Sequence, residues 1–140
     1  MNKRIYVEKR PAYQAEAEAL RSELNQQFNL NIQHLRRLVI YDIFNISADL
    51  YPLACTRVFS EVVTDIIHET LDFSSASAIA FEALDGQYDQ RSDSAQQCLK
   101  LIDVNSSVIV KCGQLVLMDH QTEETLRQVA GYLINPVESQ

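Results

Sequence analysis

The chain has 140 residues, 46% of them hydrophobic, with three glycines and three prolines. That length supports one compact domain burying about two-thirds of the surface its unfolded chain exposes, and the composition excludes a disordered or low-complexity class. A formal charge of −7, with no basic cluster denser than Lys3-Arg4, Lys9-Arg10 or Arg36-Arg37, repels phosphate backbones and excludes nucleic acid as the expected partner.

The N-terminus starts basic, but Glu8 and Lys9 end its apolar run too early for a signal peptide. Nothing approaches the ~20 apolar residues of a membrane span. Cys55, Cys98 and Cys112 make an odd set without short spacing, which predicts reduced thiols and a cytoplasmic chain.

In chain order, Arg4 to Lys9 alternates and predicts a strand. Tyr13, Ala17, Leu20, Leu24 and Phe28 recur at helical steps and predict an amphipathic helix over Tyr13–Phe28, ended by Asn29 and Asn31. Leu38–Ile46, rich in β-branched and aromatic residues, predicts a long strand. Ser47–Phe59 reads as a helix, capped by Ser47 or Asp49, with Pro52 in its first turn. Val62–Thr70 reads as a strand, and the small polar stretch Asp72–Ser77 as a linker.

The second half repeats the order. Ala78–Leu84 predicts a strand, and Asp93–Ile102 a helix with Ala95, Cys98, Leu99 and Ile102 on one face. Val108–Met118 predicts a strand with a bulge or bend at Gly113. Thr122–Ile134 predicts a helix stopped by Asn135 and Pro136. The fold class expected is therefore α+β. Two similar halves, 1–71 and 77–140, share an antiparallel or mixed sheet with helices on one face. The second half stops where the first places a further strand, so the chain reads as a fragment of a longer protein.

Chemistry-bearing patterns are sparse. His34, His68 and His120 are scattered without ligand spacing, so no metal site is expected. His68 reads as an ordinary surface histidine. The cysteines sit in apolar patterns and read as buried thiols. Gly86, Gly113 and Gly131 cannot build a phosphate loop, and neither Ser60 nor a cysteine sits in a nucleophile elbow. No catalytic residue is assigned.

The exception is the stretch from Leu84 to Ala95. A strand-to-helix connection needs only a turn residue, Gly86, and a cap, which Asp93 with Gln96 supplies. Gln87, Tyr88, Asp89, Gln90 and Arg91 exceed that need. Capping, inter-domain contact and ligand chemistry are the three readings, and contact is preferred because loops on rigid elements carry such roles. Ser60, Glu61 and Asp65 share the ambiguity more weakly, since they could simply cap or close a turn.

These segments carry a resemblance. Arg4-Ile5-Tyr6-Val7-Glu8-Lys9, Tyr41-Asp42-Ile43, Val58-Phe59-Ser60-Glu61 with Asp65, Gly86-Gln87-Tyr88-Asp89-Gln90-Arg91 with Asp93-Ser94-Ala95, and Asn135-Pro136-Val137-Glu138 are similar, in order, to the N-terminal domain of the long single-chain phosphoribosylformylglycinamidine synthase. The family favours proline where Asp85 stands and phenylalanine where Tyr88 stands. The resemblance implies a domain like a fused dimer of that enzyme's small subunit. It implies a parent ligase of purine biosynthesis that uses ATP with magnesium and ammonia released from glutamine. The catalytic parts, the synthetase and glutaminase domains, lie elsewhere in such a chain and are the partners implied. No cofactor is expected in the present chain, whose role becomes to hold those parts in register and help enclose the ammonia route. On that reading Gln87, Tyr88, Asp89, Gln90, Arg91, Ser60, Glu61 and Asp65 are interface residues. The alternative is a regulatory module binding a small molecule between its halves, since fold alone does not decide function.

Overall fold

The computed structural model describes residues 1–73, 76–82 and 90–134. Their elements are β1 (Lys3–Lys9), α1 (Ala15–Phe28), β2 (Leu35–Phe44), α2 (Leu50–Arg57), β3 (Asp65–His68), β4 (Ser77–Glu82), α3 (Gln90–Ile102), β5 (Ile109–Met118) and α4 (Glu123–Ile134). The fold is α+β: an open sheet in the order β3-β1-β2-β5-β4, antiparallel at every pairing. Outward from the central β2–β5 pair, each side places next the strand that precedes it through a helix, β1 through α1 and β4 through α3. β3 adds a further strand beyond β1.

Strand alternation assigns the two faces. Ile5, Val7, Tyr41, Ile43 and Val110 face one way and pack with Leu50 and Ala54 of α2 and Ala95 and Leu99 of α3. On the same face, Leu35, Ile79, Val116 and Met118 pack with Ala17, Leu20 and Leu24 of α1 and Val129 of α4. Two helix pairs thus cover one face. The α1–α4 pair is tied by an edge-on contact of Phe28 with Tyr132, centroids 5.5 Å apart, and a hydrogen bond from the Tyr132 hydroxyl to Glu23.

The opposite face carries no helix among the described residues. Leu38, Ile40, Leu115 and Leu117 are nevertheless buried there, packed with Tyr6, Leu71 and Ala76. The connection from β3 to β4 supplies their cover through its described residues Leu71 and Ala76. It must pass from one edge of the sheet to the other, and Phe73 meets Tyr6 edge-on at 6.4 Å. The expected linker is therefore a strap. It makes Leu115–Met118 buried on both faces, which explains an unbroken apolar run where one-sided cover would give alternation.

Several expected boundaries move, each for a local reason. β2 starts at Leu35 rather than Leu38, because Leu35 pairs with Met118. It ends before Ile46, because Asn45 adopts a left-handed φ of 66°. Tyr13 belongs to a short 3-10 turn, Pro11–Tyr13, and is exposed rather than on the α1 stripe. α2 is shorter than expected, and the Ser47 hydroxyl accepts the Leu50 N–H at 3.1 Å. β3 is only Asp65–His68; Val62 and Val63 stand in the preceding turn, 59% and 72% exposed. α3 begins at Gln90, so Asp93 lies inside its first turn and is not its cap. Gln96 instead accepts the Val110 N–H at 2.8 Å. The α3 stripe is Ala95, Leu99 and Ile102, which leaves Cys98 off the stripe and exposed rather than buried. Gly113 forms no bulge, since it pairs in unbroken register with Ile40 and Glu82. Leu84 lies outside the described residues.

The strap makes a measurable claim. Leu38→Ala should lower stability by about 2–5 kcal/mol through cavity formation. Leu101→Ala, at a position 85% exposed, should stay within about 0.5 kcal/mol of the wild type. Urea denaturation of both variants compares them directly, and equal midpoints would contradict a buried second face.

Candidate functional site

Ionisable groups gather at two places on the sheet. On the strap side, the buried Glu8 carboxylate of β1 is gripped by Arg36 of β2 through Nε at 2.8 Å and Nη2 at 2.7 Å. His68 Nε2 of β3 lies 2.9 Å from Glu8 Oε1. Burial alone would raise the Glu8 carboxyl, but bonds from Arg36 and His68 override it and hold the group below its ordinary range. Glu8 thus joins three adjacent strands through side chains. His68 is accordingly half-buried and bonded, contrary to the plain surface role expected of it.

On the helix side, the turn before β3 is organised by Asp65. Its Oδ2 accepts the Glu61 N–H at 2.8 Å, its Oδ1 accepts the Thr64 hydroxyl at 3.2 Å, and Lys9 Nζ lies 2.8 Å from Oδ1. Desolvation pushes the Asp65 carboxyl up, yet the Glu61 N–H and the Lys9 ammonium hold it below its usual range. Ser60 donates its hydroxyl to the Cys55 carbonyl at 2.6 Å, closing the end of α2. Ser60, Glu61 and Asp65 thus form one rigid turn from which Val62 and Val63 project.

The same face holds Tyr41 at its centre, stacked at a tilt on Phe59 with centroids 4.7 Å apart. Burial raises its phenol pKa above the usual value. A hydrogen bond with Arg91, in the first turn of α3, pulls the other way, and the charges of Cys112 and Asp65 raise it further. Arg91 through a hydrogen bond and Asp65 through charge, remote from each other in sequence, therefore both act on one phenol. Gln90 is exposed at the start of α3. Gln87, Tyr88 and Asp89 lie outside the described residues.

Between the helix pairs runs a seam. Val39 and Cys112 belong to one apolar cluster and Phe81 to the other. Arg37 Nη2 donates to Gln114 Oε1 across the seam at 3.0 Å. Tyr41, Arg37, Gln114 and Glu8 were not singled out by spacing. The signal available was a polar residue at an inward position of an otherwise apolar strand, which signals a pair only once the register is known.

Among the described residues, no group of three His, Cys, Asp or Glu side chains could hold a metal ion, and no helix is long and apolar enough to cross a membrane. Comparison with protein-family models, with curated proteins and with solved structures gives no match.

Glu8 sets a pH dependence. Its lowered pKa means its contribution is present above the unfolded carboxyl value of about 4.5 and is lost as pH falls through the lower folded value. Glu8→Gln should destabilise the protein at pH 7. The gap to the wild type should close only at pH values below 4.5, as followed by urea midpoints across a pH series. A gap that stays constant into acid would show that the charge contributes nothing. At the turn, Asp65→Ala should cost about 1–3 kcal/mol and raise hydrogen exchange at the Glu61 amide; unchanged exchange there would contradict its bond to Asp65.

Proposed function

We propose that the chain is a non-catalytic scaffold and coupling domain of a phosphoribosylformylglycinamidine synthase. On this reading it acts in the cytoplasm, fused to or bound by the synthetase and glutaminase domains, and helps enclose the route of ammonia between them. ATP and magnesium act in the synthetase part. A further part of the reading is that the two halves descend from a duplicated small subunit, which the order of strands about β2–β5 favours.

The single observation that carries the proposal is convergence. Three segments behind the resemblance are linked at Tyr41: Phe59 of Val58-Phe59-Ser60-Glu61 stacks on its ring, Arg91 at the end of Gly86–Arg91 hydrogen-bonds its hydroxyl, and Asp65 acts on it through charge. Tyr41, Phe59 and Asp65 are buried and fix the locus from beneath, and the exposed neighbours Glu61, Val62, Val63 and Arg91 are what a partner would touch. Asp65 and Tyr41 are held by the sheet, so the locus is preorganised, which lowers the ordering cost of association.

The test mixes the chain with the synthetase and glutaminase remainder of such an enzyme and measures glutamine-dependent ligation. Binding and restored activity are expected. Arg91→Ala should weaken binding by about 2 kcal/mol, the scale of an interface anchor. A remainder that is fully active alone, or an Arg91→Ala domain that binds and rescues like the wild type, would refute the assignment.

A further inference from the structure

We propose that the seam between the two helix pairs is a binding site for a small carboxylate-bearing molecule, with Arg37 and Gln114 as its direct contacts. This does not depend on the docking reading above.

The argument starts from register. The β1–β2 ladder ends at the Glu8–Leu38 pair, and Lys9 and Arg37 are the next residues of their strands, both at helix-side positions. Like charges facing across a ladder are unfavourable. Lys9 turns to Asp65 at 2.8 Å. Arg37 has no such outlet. It makes no ion pair among the described residues, and its bond is to a neutral amide oxygen, Gln114 Oε1, at 3.0 Å. The contrast with its neighbour is direct: Arg36, on the other face, is gripped through two nitrogens by Glu8. Lys9 and Asp65 answer each other, which leaves the Arg37 guanidinium without a carboxylate among the described residues, in a protein whose net charge is −7.

The donors are available. Arg37 engages one nitrogen, and the amide nitrogen of Gln114 donates to no described group. No buried side-chain nitrogen or oxygen among the described residues lacks a partner, so these unused N–H groups reach solvent. Arg37 and Gln114 are both half-buried, and partial desolvation strengthens an ionic contact made there. A guanidinium fork beside an amide N–H matches the plane of a carboxylate, and a single guanidinium without a carboxylate partner matches a monoanion better than a phosphate dianion. Val39, Cys112 and Phe81, half-buried on either side, offer apolar walls to a short hydrocarbon body. The predicted ligand class is therefore a small monocarboxylate with an apolar portion.

The full chain, labelled with nitrogen-15, tests this by titration with butyrate, acetate, inorganic phosphate and sodium chloride at matched ionic strength. The arginine Nε–H and glutamine side-chain amide signals are followed by NMR. Saturable shifts at Arg37 and Gln114 are expected, with butyrate tighter than acetate, and neither phosphate nor chloride saturating. Arg37→Gln, with its backbone spectrum intact, should weaken butyrate about tenfold or more. If that variant does not fold, Gln114→Leu carries the same expectation. Absence of saturation, an equal response to phosphate or chloride, or unchanged affinity in a folded variant would overturn the proposal.

Discussion

The antiparallel ladder between β2 and β5 is the constraint on which the rest depends. Ten residue pairs run from Leu35–Met118 to Phe44–Ile109 without a break. Each half of the chain contributes one long strand to it, so neither half has a complete core alone. Because side chains alternate, fixing this one register fixes which residues of both halves face the helices. It puts Tyr41 beside Cys112 and Arg37 beside Val116, and so determines where polar groups appear inside the helix layer. A slip of β2 by one residue would turn Arg37 to the strap side and Leu38 to the helices, while Gln114 and Leu115 of β5 stayed where they are.

The polar groups on the sheet divide by how completely they are paired. Glu8 is surrounded and bridges β1 to β2 and β3, and so acts as a clamp on the edge that carries the short β3. A half-paired version would be costly, since removing either partner leaves charge in a poorly solvated place. Asp65 is saturated in the same way and shapes a turn. Arg37 is different in kind, with a neutral acceptor and open donors. Full satisfaction suits structure, and leftover donor capacity at a half-buried position suits recognition.

The sequence made the type and order of elements legible because the strongly periodic segments are also the well-packed ones. Ala17, Leu20 and Leu24 repeat at helical steps and bury together, as do Ala95 and Leu99. It misled where a side chain overrode propensity. Val62 and Val63 favour a strand, but Asp65 captures the Glu61 N–H and turns them outward. Asp93 and Gln96 match a capping box, yet α3 starts a turn earlier and each side chain finds another partner, Gln97 for Asp93 and Val110 for Gln96. His68 gave no hint of Glu8, because their pairing depends on β3 lying beside β1, a tertiary fact. The turn of Ser60, Glu61 and Asp65 was visible as a cluster, whereas its connection to Arg91 through Tyr41 required the fold.

The strap between β3 and β4 has a consequence for how the molecule moves. Eight residues, 69–76, link the two outer edges of the sheet. Four inter-strand spacings amount to about 19 Å, and a fully extended segment of this length reaches no more than about 29 Å. The surplus of about 10 Å is roughly two strand spacings, so the tether bounds how far the two edges can separate without fixing their distance. The two outer edges are thus joined by a short tether as well as by the ladders between them, so neither edge strand can leave the sheet without carrying the connection with it.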